Sequence, residues 1–474
     1  MAFLQKVYLM SSSLHASPRL VQLATCLGFF VVLMDVSVVN VALQALHLGI
    51  GADITDLQWL VNAYALVFAS LLLLAGTLGD RLGAKRVFML GYGVFSLASL
   101  GCGFASSIAS LISWRLVQGL GAALLVPTSL SLLREAFQEE SARNRAVGWW
   151  GAGGGIALAA GPVIGGLFIT TLGWRSLFLI NVPIGLIGLW LTARHAPSSP
   201  TQPDRSLDMP GQIVAVLTLA SFTFALTQAS QLGWSNPEIL GAAMACVLLG
   251  AIFIWMQTHT AQPMLPLALF RAPLLRSATL IGMLANLVFY GVVFALSLFF
   301  QTIEHFSPNQ TGLAFLPMMA VLMVMNILAG RLICHIQHRV LATGGLLLSA
   351  LGYVLMAPAL ATHAYGWLVV PMLLAGSGIA LTIPTITSAT LAAVPSNQAG
   401  IASALLNAAR QVGGIIGVAV FGFMISDNAE QQFLRGLDHT LMISALLLLL
   451  ASGVAFAGLR PTRAMGLCAA RLPS

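Results

Sequence analysis

Charge is what this chain has least of. Only 7% of its residues are Asp, Glu, Lys or Arg, and only 14 are acidic. A soluble domain of this length needs a charged surface, so a soluble globular fold is excluded. The five cysteines (Cys26, Cys102, Cys246, Cys334 and Cys468) are scattered and contain no CxxC pair. That excludes a disulfide framework and a cysteine metal site. None of the nine histidines falls inside a long apolar run, so a histidine proton relay is not expected. There is no glycine loop ending in Lys-Ser/Thr and no HExxH, so neither an ATP-driven pump nor a zinc protease is indicated. No nucleophile–base pair lies within the apolar runs, which argues against an intramembrane enzyme. No nucleic-acid partner is expected either: the net charge of +7 is distributed as a topology signal.

What fills the chain is apolar sequence. It is 58% hydrophobic with a mean hydropathy of +0.93. Fourteen runs near 20–45, 57–78, 87–106, 109–133, 146–169, 174–193, 210–230, 239–257, 277–302, 310–333, 340–359, 366–389, 400–424 and 440–459 are long enough to cross a bilayer. The expected fold is an all-α integral membrane protein of fourteen transmembrane helices, in contact with membrane lipid. The first run is a full span containing an Asp, so a cleaved signal peptide is not expected.

The basic residues sort by loop parity. Lys6, Arg19, Arg81, Lys85, Arg86, Arg134, Arg143, Arg145, Arg194, Arg205, Arg271, Arg276, Arg331, Arg339, Arg460, Arg463 and Arg471 fall on one side, against Arg175 and Arg435 on the other. That asymmetry places both termini in the cytoplasm. Trp59, Trp114, Trp174, Trp234 and Trp367 fall near the opposite edge, where an aromatic belt is expected.

The sequence also repeats. Residues 119–128 (GLGAALLVPT) match 376–385 (GSGIALTIPT), and Leu74-Ala75-Gly76 matches Leu328-Ala329-Gly330 at nearly the same offset. Two six-helix repeats are expected, 20–193 and 276–459. Between them, 194–257 holds a Pro/Ser-rich linker at 194–205 and two inserted helices. Repeated halves are a transporter arrangement, with the substrate site between them near the midplane.

Four stretches carry candidate chemistry. Asp35 is the only acidic residue inside the fourteen runs, where a carboxylate costs about 2.5–3.5 kcal/mol or more and needs a functional reason. Arg115 and Gln118 share a face of span 4. The depths of Asp35 and Arg115, roughly 15 Å and 9 Å below the same edge, are close enough for them to interact. A static ion pair that only fixes packing is the structural alternative. The turn from Gly76 through Asp80, Arg81, Gly83, Lys85 and Arg86 reads either as a charge latch between the halves or as a basic turn obeying topology. In span 5, Gly161, Pro162, Gly165 and Gly166 form a small-residue face with a kink, suited to close helix packing. Arg410 sits mid-span with no acidic partner identifiable from sequence.

Together these stretches resemble the major facilitator superfamily, and specifically its fourteen-span drug:proton antiporter family. Gly76, Leu78, Asp80, Arg81 and Gly83 match the superfamily's loop motif. Asp35, Val38, Val39, Asn40, Ala42 and Leu43 match the span-1 motif, and Arg115, Gln118, Gly119, Gly121 and Ala123 the span-4 motif tied to proton coupling. Gly161, Pro162, Gly165 and Gly166 match the antiporter motif. Trp174, Arg175, Phe178, Asn181 and Pro183 are typical of the fourteen-span group. Ser37 stands where Thr is usual, Gln44 where Pro is usual, Ala84 in place of a basic residue and Ala157 in place of a Gly. The resemblance implies a cavity lined by spans 1, 4, 9 and 12, which makes Met34, Gln118, Asn286, Phe289, Tyr290, Phe294, Met372, Ser377 and Thr382 candidate substrate contacts.

The expected function is a proton-coupled exporter of small amphipathic or lipophilic compounds, working by alternating access in a cell (inner) membrane. It would need no cofactor, since a proton gradient would drive it, and a periplasmic adaptor would be an additional partner. With one membrane acid, neutral or monocationic substrates are expected. The alternatives are the same fold carrying one dedicated metabolite, and a non-transporting membrane sensor.

Overall fold

A computed structural model of the chain describes residues 17–199, 201, 207–260, 263–265, 267–333, 335–394, 399–425 and 430–459. Lys6, Arg205, Cys334, most of the linker from 200 to 206 and the basic residues from Arg460 onward lie outside the described residues. The first half comprises α1 (Pro18–Ile50), α2 (Ile54–Leu82), α3 (Ala84–Gly103), α4 (Ile108–Ala136), α5 (Glu140–Leu172) and α6 (Ser176–His195). Then come α7 (Met209–Leu232) and α8 (Pro237–His259). The second half comprises α9 (Pro273–Leu298, prolonged by a π turn to Ile303), α10 (Pro308–Leu332), α11 (His338–Leu360), α12 (Tyr365–Ala392), α13 (Ala399–Met424) and α14 (Glu430–Gly458). Thirteen of these are long and apolar enough to cross a membrane, and α5, bent by 41°, makes the fourteenth. The helices overrun the apolar runs: α14 begins at Glu430 rather than near 440, because a helix continues through polar turns once its backbone ladder is formed.

The two halves pack alike. α1 lies on α4, α5 and α6 as α9 lies on α12, α13 and α14, and α3–α4 and α2–α4 recur as α11–α12 and α10–α12. The repeated glycines explain why. A Cβ on Gly119 would stand 2.6 Å from the Tyr64 carbonyl of α2, and one on Gly121 2.6 Å from the Phe95 amide of α3. Their counterparts Gly376 and Gly378 would meet Met318 O of α10 at 3.1 Å and Ser349 N of α11 at 2.6 Å. The same small residues admit the same two neighbours in each half.

The halves meet along two crossed seams, α5 on α10 and α2 on α13, with α1 touching α9 between them. α7 covers the α2–α13 seam, where Asn62 Nδ2 donates to Thr227 Oγ1 at 3.3 Å and Gln212 Nε2 to Ser70 O at 2.8 Å. α8 rests on α7 and is otherwise turned outward. The closest approaches all lie at the face opposite the basic one. There the Gln44 amide donates to Gln301 Oε1 at 3.2 Å, and Ser297 Oγ donates to Asn40 O. The proline usual at position 44 has no N–H to make the first of these bonds. Spacing along α5 gives the shape. A Cβ on Gly166 would be 2.6 Å from Pro308 O, one on Gly155 3.8 Å from Met323, and one on Gly151 would meet nothing within 4 Å. The halves are closed at one face and diverge toward the basic face.

The kink in α5 has a local cause. Pro162 has no N–H for the Leu158 carbonyl four residues back. The Ser37 hydroxyl of α1 donates to that carbonyl instead, at 3.0 Å. The aromatic-belt expectation fails at Trp174. Its ring packs on Gly49 and beneath Arg175, 4.3 Å from the guanidinium, and is buried, whereas Trp234 and Trp367 do face outward.

A valine at Gly312, whose Cβ would collide with the Pro162 carbonyl, is expected to hold the α5–α10 seam open. Overpacking costs about 1–3 kcal/mol, which shifts the closed population by about tenfold. In nanodiscs, a reporter Asn309→Cys in a cysteine-free background should react with maleimide correspondingly faster in Gly312→Val. Unchanged labelling would show that the seam tolerates the side chain.

Candidate functional site

Asp35 and Arg115 are an ion pair, each 1% exposed, with Arg115 Nη1 donating to Asp35 Oδ2. The other carboxylate oxygen accepts from Gln118 Nε2 at 2.9 Å and from Asn181 Nδ2 at 3.0 Å. Gln118 is shared: its Oε1 accepts from Arg115 Nη1 at 2.7 Å and its Nε2 also donates to Ser99 Oγ at 2.9 Å. Arg115 Nε donates to Leu60 O at 3.2 Å, and the guanidinium lies 4.3 Å from the centre of the Tyr64 ring. Five of the six helices of the first half, α1, α2, α3, α4 and α6, thus address one carboxylate–guanidinium pair.

The site follows from helical spacing. Arg115 and Gln118, one turn apart on α4, point the same way, toward α1. α6 is interrupted at Ile180, ahead of Pro183, and the break sets Asn181 against α1. The sequence marks Asn181 as typical of the fourteen-span group without tying it to the charged site. Its signal was a buriable amide two residues before a proline, which says nothing about its partner. Its Oδ1 is buried without a partner.

Two cavities lie between the halves. One is bounded by Ser37, Asn40 and Pro162 on one side and by Phe289, Tyr290 and Phe315 on the other. The second, the larger of the two, is bounded by Asn62, Tyr64 and Arg115, facing Tyr290, Gln411 and Gly414. Tyr290 borders both. The charged pair therefore touches the larger cavity through Arg115, with Asp35 behind it.

The candidate substrate contacts divide accordingly. Phe289 and Tyr290 line the cavities. Gln118 belongs to the charged cluster, and Asn286 binds Arg410. Met34, Phe294 and Met372 are fully buried in the apolar core. Thr382 bonds its own helix at Gly378 O, 2.8 Å away, and packs on α11, while Ser377 is 9% exposed. The described residues lining these two cavities come from α1, α2, α4, α5, α9, α10 and α13, and none comes from α12. The repeat gives the reason. Met372 is the counterpart of Arg115 at the repeat offset, so it points into its own half as Arg115 does.

The loop from Gly76 to Arg86 makes its described hydrogen bonds within the first half. Gly83, at φ +94°, turns the chain between α2 and α3. The Lys85 amide donates to Ser199 Oγ at 2.9 Å, and its Nζ reaches Ala193 O and Ala196 O at 3.0 and 2.8 Å, capping the end of α6. Ser199 Oγ in turn donates to Glu135 Oε2 at 2.5 Å. Gly79 packs on Thr128 of α4. These bonds do not bridge the halves, because the halves have diverged at this face. In the antiporter motif, Gly161 and Gly165 face Ser37 and Val38 of α1, while Gly166 faces α10.

Two six-helix halves around inter-half cavities, with a charged pair buried in one half, define a secondary transporter of the membrane. The chain belongs to the Major Facilitator Superfamily, whose model matches residues 25–418. It is 37% identical to the methylenomycin A resistance protein of Streptomyces coelicolor, over 90% of this chain and 88% of that one. It is 34% identical to the multidrug resistance protein Stp of Mycobacterium tuberculosis, over 87% and 77%. Its fold matches a D-xylose–proton symporter at a TM-score of 0.70 and 15% identity, over 94% of this chain and 98% of that one. Family membership makes it a transporter and not an enzyme or a sensor.

Arg115→Leu strands a buried carboxylate and is expected to lower stability by about 3–5 kcal/mol. Adding Asp35→Leu should recover most of that loss. Unfolding of the purified proteins in detergent measures the cycle. A double variant no more stable than Arg115→Leu would show that the pair is not what Arg115 stabilises.

Proposed function

We propose that the protein exports small amphipathic or lipophilic compounds in exchange for protons, by alternating access. It would sit in the cell (inner) membrane with both termini cytoplasmic, as the basic-residue asymmetry supports. With that orientation the halves are open inward. The resistance functions named for the relatives support export as the direction of transport.

The observation that carries proton coupling is the enclosure of Asp35. Its charge is matched by Arg115 and by hydrogen bonds from the two amides Gln118 and Asn181, so the ionised pair is at rest. Protonation cancels the carboxylate charge and leaves Arg115 without a counter-charge in a buried site. Breaking such a pair costs about 3–5 kcal/mol. That is close to the roughly 5.5 kcal/mol that carries a two-state equilibrium from one side to the other. Arg115 borders the larger cavity, so it could recover solvation there or by a shift of α4 against α1. A substrate in that cavity and a proton on Asp35 would therefore bias the same equilibrium. An adaptor partner would be needed only to carry substrate beyond an outer barrier.

The test uses inside-out vesicles energised with a proton gradient and loaded with a fluorescent amphipathic dye. Wild type is expected to accumulate dye and release protons on substrate addition. Asp35→Asn, matched for expression, should lose both signals by about a hundredfold or more, the ratio given by about 3 kcal/mol. Retained proton exchange in Asp35→Asn would make Asp35 structural and defeat the mechanism.

A further inference from the structure

The second half holds a charge that proton coupling leaves unused. Arg410 lies mid-helix on α13, partly buried. Its Nε donates to Asn286 Oδ1 at 3.4 Å and its Nη1 to Asn407 Oδ1 at 3.3 Å. Both bonds are long, both acceptors are neutral, and no carboxylate pairs with Arg410 among the described residues. A guanidinium at this depth calls for a compensating anion. Asn286 is 3% exposed, and with its oxygen turned to Arg410 its Nδ2 is buried without an acceptor. The cluster therefore presents donors from both helices, one of them the unpaired Asn286 Nδ2.

It is placed to meet a transported molecule. Asn286 precedes Tyr290 by one turn of α9, and Arg410 precedes Gly414 by one turn of α13. Tyr290 and Gly414 pack together, 3.1 Å from ring to a Cβ on the glycine, and both line the larger cavity beside Gln411. The donors thus lie one turn from the cavity, toward the basic face where the halves diverge.

We propose that Arg410 and Asn286 recognise a carboxylate on the transported molecule, so that the preferred substrates are amphipathic monoanions. This rests on the exporter reading above and departs from the expectation of neutral or cationic substrates. Asp35 offers a cation nothing, because Arg115 already cancels its charge. With that pair neutral, the uncompensated charge one turn from the larger cavity is that of Arg410. A planar guanidinium accepts a carboxylate through two parallel bonds, which an ammonium cannot reproduce. Asn286 Nδ2 supplies a further donor, and Phe289 and Val418 give apolar surface for the body of the molecule. An inorganic anion such as chloride has the same charge and is the other source to be distinguished.

The probes are 7-(diethylamino)coumarin-3-carboxylate and its neutral methyl ester, with uptake into energised inside-out vesicles as the readout. Wild type should carry the carboxylate in preference to the ester. Arg410→Gln should lose carboxylate uptake by about tenfold or more, as for a lost charge-assisted bond, while ester uptake stays within about twofold, inside the scatter of a neutral site change. Arg410→Lys should keep part of the carboxylate uptake, and the ester reports that each variant is folded. Equal loss of both compounds in Arg410→Gln, with Arg410→Lys no better, would make Arg410 structural and overturn the proposal. So would a wild type that prefers the ester. Ester uptake that depends on chloride in wild type but not in Arg410→Gln would assign the site to an inorganic anion and overturn it equally. Ester uptake that depends on Asp35 without any carboxylate uptake sinks this inference alone. Uptake of neither compound sinks the exporter reading with it.

Discussion

A carboxylate in hydrocarbon must be matched, and the first half is arranged around that requirement. Asp35 takes a guanidinium and two amides, which is close to its full acceptor capacity. Arg115 spends donors on Asp35, Gln118 and Leu60 and lays its face on Tyr64. Gln118 accepts from Arg115 and Cys102 and donates to Asp35 and Ser99. A network this complete is stiff in one protonation state and unbalanced in the other. That difference is what a coupled transporter requires of a proton site.

The two halves share a backbone plan but not a charge plan. Glycines at the repeat offset admit equivalent neighbours in each, and the seams between halves cross in a matched way. Where the first half has Arg115, the second has buried Met372. Its own cation, Arg410, is on α13, the counterpart of α5 rather than of α4. The buried carboxylate–guanidinium pair thus belongs to one half. The second contributes Tyr290, Gln411 and an uncompensated guanidinium near the opposite wall of the cavity.

The features legible in the sequence were those that violate a local rule. An acid and an arginine inside apolar runs, glycines at fixed spacing and a proline within a span each stand out against lipid-facing sequence. Their depths were enough to bring Asp35 and Arg115 together. What stayed hidden depended on orientation between elements. Asn181 is an ordinary amide until the break in α6 turns it to α1. Met372 and Thr382 read as cavity residues only while the facing of α12 is unknown. The loop at Gly76–Arg86 reads as a bridge between halves, yet which of its partners are in reach depends on how far the halves have parted. The place of the inserted pair, with α7 over one seam and α8 against α7, follows from polar contacts such as Asn62 with Thr227, whose pairing no periodicity encodes.

α1 connects these parts. Within three turns it presents Asp35 to the charged network, Ser37 to the carbonyl freed by Pro162, Val38 to Gly165, and the Asn40–Gln44 turn to Ser297 and Gln301 of the other half. In the proposed mechanism the first contact would respond to a proton; the second and third hold the bent helix of one seam, and the last joins the halves where they are closed. A helix this densely bonded cannot rotate or slide at one contact alone. A change of charge at Asp35 therefore acts on both seam and closure through a single rigid element, with no chain of intermediate residues required. The glycines along α5 let that element move by presenting backbone rather than interlocking side chains.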